Sequence, residues 1–383
     1  MNHKDYLTNK MFCPIPWTGL MYNFDGTIKN CIRSSAPIGN IKENLVEEIL
    51  HNSDNVTTKS SMLKNQPGKR CYPCYDLERG QNSFDIISDR VFYLRELKDV
   101  PITTYDDIHK FDLKKIDVRW SNLCNFGCIY CSAEYSSRWE NELKIKIDTP
   151  DNVQQKRFKE FIFNNAKKLK HIYLAGGEPL LMKENLELLD LLDTEAKIRI
   201  NTNLSKTDTR VFEKVCSFKN VHWTVSLETI EEEYEYIRYG ASWVNFVNNL
   251  KIISKLNHKI SFNMLYFALN STSIFSCIDF LKQLGFHNNS FIIGTLLHPE
   301  DLNVRHLPDS MLNLARENLQ TRLNQKPGFL LENGLQNVIE YINQPFNRNT
   351  NKLFDYLKVL DKRRNLDSTK IFKELYNYGN QTF

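Results

Sequence analysis

Between residue 115 and about residue 323, short apolar runs alternate with longer segments whose apolar residues recur every three to four positions, the rhythm of strands followed by amphipathic helices. The apolar runs predict strands at 115–120, 171–175, 196–201, 221–226, 259–267 and 291–295. The longer segments predict helices near 158–166, 183–192, 207–215, 244–256, 273–284 and 308–323. Strands and helices in strict alternation specify a parallel α/β architecture. Six units are too few to close an eight-unit barrel, so the expected fold is an open, partial (β/α)6 TIM barrel with ligands at the carboxyl ends of its strands.

The flanks read differently. Residues 11–79 are loop-rich, with a β-hairpin expected at 17–22 and 27–32 around the Asp25-Gly26 turn and short helices at 44–50 and 58–63. A mixed helical pattern at 81–99 and a polar connector at 101–110 follow. The tail, 328–378, predicts helices at 331–342, 352–363 and 368–376, and its Leu353, Tyr356, Leu357 and Leu360 recur at helical spacing as a packed cap would require. The expected organisation is therefore a small amino-terminal region (1–80), a bridging linker (81–114), a barrel (115–323) and a helical extension (324–383).

Composition narrows the class. With 41% hydrophobic and 25% charged residues, the 383-residue chain is neither disordered nor fibrous. A formal net charge of +4 is too small a bias to imply nucleic acid, and the short basic groups Lys114-Lys115 and Lys167-Lys168-Lys170 read as solvated faces. Residues 1–10 are polar and no long apolar run follows, so neither a signal peptide nor a membrane span is expected, and the location is expected to be cytoplasmic. Nine cysteines in such a chain point to metal ligation rather than to a disulfide scaffold.

Seven of those cysteines form two sets. Cys124, Cys128 and Cys131 crowd into one loop directly after a predicted strand, and Gly127 lets the backbone turn closely there. Three thiolates leave one iron of a four-iron cube without a protein ligand; a structural zinc site is the alternative, which would want a fourth Cys or His. Cys13, Cys31, Cys71 and Cys74 make a complete, closed set that suits either zinc or a cube. The remaining two, Cys216 and Cys277, read as small buried hydrophobes.

Other candidates sit at successive strand ends. Gly176-Gly177-Glu178-Pro179 offers close backbone approach and an acceptor for a cationic amine, or a tight turn with Glu178 exposed. Asn201, ahead of Asn203, ends the third strand; Ser226 and Glu228 end the fourth. Arg238 brings a rigid donor fork for a carboxylate, or a surface ion pair with the acidic run 231–235. Glu228, Asn263, Tyr266 and Asn270 are candidates for a substrate cavity.

Cys-x3-Cys-x2-Cys with Tyr130 before the last cysteine resembles the signature of the radical S-adenosylmethionine (radical SAM) superfamily, and the resemblance runs from about 115 to 300. It implies S-adenosyl-L-methionine bound at the open iron of a 4Fe-4S cluster and cleaved reductively to a 5'-deoxyadenosyl radical. It also implies that Tyr130 packs near adenine, that Gly176, Gly177, Glu178 and Pro179 hold the methionyl amine, that Asn201 and Ser226 meet ribose or carboxylate, and that Arg238 pairs the cofactor carboxylate. Gly26-x4-Cys31, Cys71-x2-Cys74 and Gly39-Asn40-Ile41 resemble twitch domains, short relatives of SPASM domains that hold an auxiliary 4Fe-4S cluster, although those more often follow the radical core.

The implied function is oxidative modification or cross-linking of a peptide or protein, with flavodoxin or ferredoxin as electron donor. No winged-helix-like segment for precursor recognition is evident. A dehydrogenase or epimerase of a carbohydrate or other small metabolite is the second expectation. A metal-stapled RNA- or protein-binding protein without catalysis is the third.

Overall fold

A computed structural model describes residues 9–78, 88–100 and 104–379. The polar terminus 1–10, the bridging pattern 81–99 and the connector 101–110 thus lie partly outside the described residues. The chain packs as two compact units: residues 1–123 with 146–200 and 209–221, and residues 124–145 with 201–208 and 222–383.

In the first unit, β1 (Gly19–Tyr22), β2 (Thr27–Lys29) and β3 (Gly39–Asn40) form an antiparallel meander. The hairpin turn is set by Gly26 at φ +91°, whose amide donates to the carbonyl of Asn23 (2.9 Å), a conformation only glycine takes without strain. Strand β1 begins at Gly19, two residues later than expected, because a helical turn, Ile15–Thr18, precedes it with Pro16 near its start. The meander also extends the parallel sheet. β1 pairs in parallel with β4 (Lys115–Val118), which pairs in parallel with β5 (His171–Leu174), and β5 with β6 (Lys197–Thr202).

Alternation gives this sheet two unlike faces. Ile116, Val118, Ile172, Leu174, Ile198 and Ile200 are buried on one. The other carries Lys115, Asp117, His171, Tyr173, Lys197 and Arg199, with Lys115, His171 and Lys197 in register and Asp117, Tyr173 and Arg199 one step on. Helices Asn152–Asn164, Lys183–Leu189 and Arg210–Cys216 bury Phe158, Ile162, Leu188, Leu189, Val211 and Val215 at helical spacing. Asp151 caps the first of them by accepting from the amides of Val153 and Gln154.

In the second unit, β7 (Asn220–Ser226), β8 (Lys259–Tyr266) and β9 (Phe291–Thr295) are parallel neighbours. Helices Trp243–Ile253 and Ile274–Gln283 bury Phe246, Leu250 and Ile253, and Ile274, Cys277, Ile278 and Leu281. Cys277 is fully buried as expected; Cys216, by contrast, is only half-buried. All six expected barrel strands are therefore present, each followed by helix, and the α/β class with a parallel sheet and a helical carboxyl-terminal region is what the sequence predicts.

The helical extension docks closely. Helix Phe329–Asn343 runs over β9, and Gly334 permits it: a Cβ there would lie 2.9 Å from the carbonyl oxygen of Ile293. Helix Thr350–Arg364 buries Leu353, Leu357 and Leu360 of the expected stripe. Helix Ser137–Leu143 and helix Glu231–Ile237 were not expected: the first has a single buried apolar residue, Trp139, and the second opens on three glutamates. Among the described residues no helix is long and apolar enough to cross a membrane.

Candidate cofactor and cluster sites

The chain leaves β4 and enters the three-cysteine loop within six residues. The loop has no regular structure of its own, and apart from the Cys131 amide, which donates to the Cys128 carbonyl (2.9 Å), several of its backbone groups are paired from elsewhere in the second unit. The amides of Gly127 and Ile129 donate to the carbonyls of Tyr239 and Ile237 (both 2.9 Å), the Trp139 indole donates to the carbonyl of Cys128 (2.8 Å), and Ser136 Oγ donates to that of Phe126 (2.7 Å). Tyr356, the polar member of the expected tail stripe, donates its hydroxyl to the Ile129 carbonyl at 2.7 Å. Arg364 of the same helix pairs with Glu142 (3.1 Å) and lies 4.4 Å over both the Trp139 and Tyr239 rings. The space that Gly127 leaves open is taken by this arginine: a Cβ at 127 would meet Arg364 Nη2 at 3.2 Å.

Two donors face the sulfurs. Asn203 Nδ2 lies 3.9 Å from Cys124 Sγ and 3.2 Å from the Asn125 side-chain oxygen, and Arg238 Nη1 lies 4.0 Å from Cys128 Sγ. Donors aimed at thiol sulfurs suit an anionic iron-sulfur group, whose charge they offset. Burial raises the Cys128 thiol, opposed by Arg238, and pushes Cys131 up to about 12, so cluster assembly must displace protons that would otherwise remain.

Arg238 is buried rather than at the surface. Its Nε and Nη2 donate to the two carboxylate oxygens of Glu228 at 2.8 and 2.7 Å, with both side chains 2% exposed, and its guanidinium lies 5.8 Å from the Tyr130 ring centre. Burial raises the Glu228 carboxyl on balance, opposed by the bidentate Arg238 and by Tyr130. Arg238 is thus paired with Glu228 and not with the acidic run 231–235. Tyr266 and Asn270, two candidates for a substrate cavity, are fully buried and committed to backbone: Tyr266 donates to the carbonyl of Ser271 (3.1 Å), and the Asn270 amide donates to those of Leu265 (2.7 Å) and Glu228 (3.2 Å). Asn263, half-buried, faces Ser226 in register at the end of β7.

In the first unit, Gly176-Gly177-Glu178 packs against residues 121–123, the segment that runs into Cys124. Glu178 donates its amide to the Leu123 carbonyl at 2.7 Å. A Cβ at Gly177 would lie 2.3 Å from the Leu123 carbonyl oxygen, and Gly176 has φ +116°, so no other residue fits either place. Glu178 is fully buried, not exposed, and caps the short 3-10 helix Pro179–Leu181 by accepting from the amide of Leu180 (3.1 Å). Asn201 lies within β6, half-buried, one residue before the strand ends.

The four remaining cysteines converge. Cys13, Cys31, Cys71 and Cys74, spread over 62 positions, line one cavity with Arg33, Ser34, Asp89, Arg90 and Tyr93. Cys71 and Cys74 flank the start of helix Tyr72–Glu78, not a free knuckle. Burial and mutual repulsion push Cys71 up to about 12, and burial pushes Cys74 up to about 11. Four thiols on one enclosed wall fit a closed metal group. No three His, Cys, Asp or Glu side chains among the described residues close on a single ion-sized point, however, so both cysteine sets remain candidate ligands by chemistry and placement.

Pattern reading at the strand ends set Asn203 behind Asn201 and so missed its reach into the cysteine loop. It also missed the tail residues Tyr356 and Arg364, for which no local signal exists.

A family model described as "Radical SAM superfamily" matches residues 118–281. The radical SAM cyclopropyl synthase TigE of Paramaledivibacter caminithermalis is 28% identical over 165 residues, 39% of this chain and 35% of that protein. The 7-carboxy-7-deazaguanine synthase of Clostridium acetobutylicum is 33% identical over 99 residues, 25% of this chain and 39% of that protein. The chain thus spans little more than a third of the length of either curated relative. Among solved structures, Streptococcus suis SuiB bound to precursor peptide SuiA superposes at TM-score 0.40 with 13% identity, covering 73% of this chain and 62% of that one. Native anSMEcpe with bound AdoMet superposes at 0.39 with 17% identity, covering 54% and 59%. Residues 118–281 are thus similar to the radical SAM superfamily.

Proposed function

We propose that this chain is an enzyme that reductively cleaves S-adenosyl-L-methionine and abstracts a hydrogen atom from a peptide or protein, leading to oxidative modification or a cross-link. The observation that carries the reading is the three-cysteine loop at the end of β4, inside the matched segment, with Asn203 and Arg238 turned toward two of its sulfurs. When bound, the 4Fe-4S cluster and its cofactor supply the electron and the 5'-deoxyadenosyl radical.

The chain's own residues hold, orient and shield. Cys124, Cys128 and Cys131 would ligate the cluster, while Asn203 and Arg238 offset its negative charge. Glu178 would accept the methionyl ammonium. Asn201, Ser226 and the ring of Tyr130 are assigned to the ribose, carboxylate and adenine of the cofactor. Trp139, Tyr239 and Arg364 pack together beside the loop, and Trp139 donates to its Cys128 carbonyl. Cys13, Cys31, Cys71 and Cys74 would hold an auxiliary 4Fe-4S cluster, with zinc as the alternative, in a twitch-like region. A flavodoxin or ferredoxin would deliver the electron.

A second reading, a small-molecule substrate, is favoured by the 99-residue likeness to a 7-carboxy-7-deazaguanine synthase. Anaerobic reconstitution followed by dithionite tests the shared chemistry: 5'-deoxyadenosine and methionine should form in equal amounts. An iron-free protein that leaves the cofactor intact would sink both readings. Deuterium from a labelled peptide or metabolite appearing in 5'-deoxyadenosine would then decide between them.

A further inference from the structure

We propose that Lys115 is the counter-charge of the cluster held by Cys13, Cys31, Cys71 and Cys74, and that it raises the reduction potential of that cluster. The inference rests on the reading of those four cysteines as an iron-sulfur site and deepens it.

Lys115 opens β4 on the polar face of the sheet and is only 2% exposed. Among the described residues no carboxylate lies within ion-pair distance of its ammonium. Asp117, on the same face, is paired through Oδ1 with Arg119 (2.7 Å). What Lys115 does meet is the ring of Tyr93, 5.1 Å from its Nζ, and Tyr93 lines the four-cysteine cavity.

The other cations of that cavity are already matched. Arg33 pairs with Asp89 (3.1 Å), and Arg90 pairs with Glu78 and donates to the Phe12 carbonyl (3.0 Å). A buried ammonium needs an anion, and buried charges in folded proteins are paired or bind metal groups. Four thiolates around a 4Fe-4S core leave a net negative group. Asp117 and Asp89 act on the lysine from beyond ion-pair distance, and a bound cluster would bring a further anion to the wall that Tyr93 shares with it. One-electron reduction adds one more negative charge to the cluster while the reductant is oxidised, and no bond forms or breaks. A nearby fixed cation stabilises the reduced form more than the oxidised one.

The test uses the full chain carrying Cys124→Ala, Cys128→Ala and Cys131→Ala, so that only the four-cysteine site can hold iron. Lys115→Met, Lys115→Gln and Lys115→Arg are added singly, reconstituted anaerobically and titrated with dithionite against mediator dyes, reading the cluster by electron paramagnetic resonance. Lys115→Met and Lys115→Gln should move the oxidised-to-reduced balance at least about tenfold toward oxidised, about 59 mV to more negative potential; Lys115→Arg should titrate with the parent. Iron lost from Met and Gln variants but kept by Arg also supports the counter-charge. An unchanged midpoint in an iron-replete Lys115→Met protein overturns the proposal, as does equal iron loss in all three. A parent that takes up no iron overturns the four-cysteine reading itself, and that is seen before any titration.

Discussion

The two cysteine sets are built in opposite ways. Cys124, Cys128 and Cys131 lie within eight residues, yet their loop is held from outside: by carbonyls of Ile237 and Tyr239, by Trp139, and by Tyr356 and Arg364 more than two hundred residues downstream. Cys13, Cys31, Cys71 and Cys74 are scattered, yet each stands beside a regular element, and the meander and two helical segments bring them to one wall. The first set offers three thiols with two donors directed at sulfur; the second offers four with cations around it. An incomplete set positioned by long-range contacts suits a site that must present an open iron to a ligand. A complete set on a folded wall suits a closed group.

This contrast can be broken experimentally. The largest effect is expected from the loop: replacing any one of Cys124, Cys128 or Cys131 with Ala should abolish 5'-deoxyadenosine formation and remove about four irons per chain, leaving the second set's iron in place. Cys71→Ser should do the reverse, with about four irons lost and cofactor cleavage retained. Equal loss of both from either substitution would mean that the two sites are not independent.

The buried pair comes next. Glu228→Gln leaves Arg238 charged without a partner and should cost about 3–5 kcal/mol of stability in denaturant titrations. Glu228→Gln combined with Arg238→Met should recover part of that loss. If the single substitution costs less than about 1 kcal/mol, the pair is not desolvated as the geometry requires.

Acid should distinguish the regions more gently. Burial lowers His171 of β5 to about 4 from an ordinary value near 6.5, with the nearby Glu96 partly opposing the shift. The unfolded chain therefore binds the proton more readily, so stability is complete above pH 6.5 and falls as the pH drops toward 4. His171→Phe should flatten that stretch of the stability curve. Smallest of all, Tyr356→Phe removes one hydrogen bond to the loop, about 1 kcal/mol, and should quicken iron loss from the three-cysteine site alone.

Legibility in the sequence followed the range of the interactions. The six strands were readable because Ile116, Val118, Ile172, Leu174 and their like alternate or run together over a few residues, and burial acts on that pattern directly. The cysteine sets were readable because thiols have few other reasons to cluster. Hidden from pattern were roles fixed by distant partners. Glu228 and Arg238 each looked free for a ligand, and only the fold joins them. Tyr356 read as one more member of an apolar stripe until its hydroxyl met Ile129. Helix Ser137–Leu143 lacks an apolar stripe because it buries one tryptophan, and Asn203 lies just past the strand to which Asn201 belongs, where spacing alone favours Asn201.

The difference between an open and a closed site is tested most directly by electron paramagnetic resonance of the dithionite-reduced, reconstituted chain before and after S-adenosyl-L-methionine is added. The cofactor should change the signal of one cluster only, and that change should vanish in the Cys124→Ala, Cys128→Ala, Cys131→Ala protein, whose remaining signal ignores the cofactor. A cofactor-dependent change that survives in that protein, or that disappears with Cys71→Ser instead, would contradict the account.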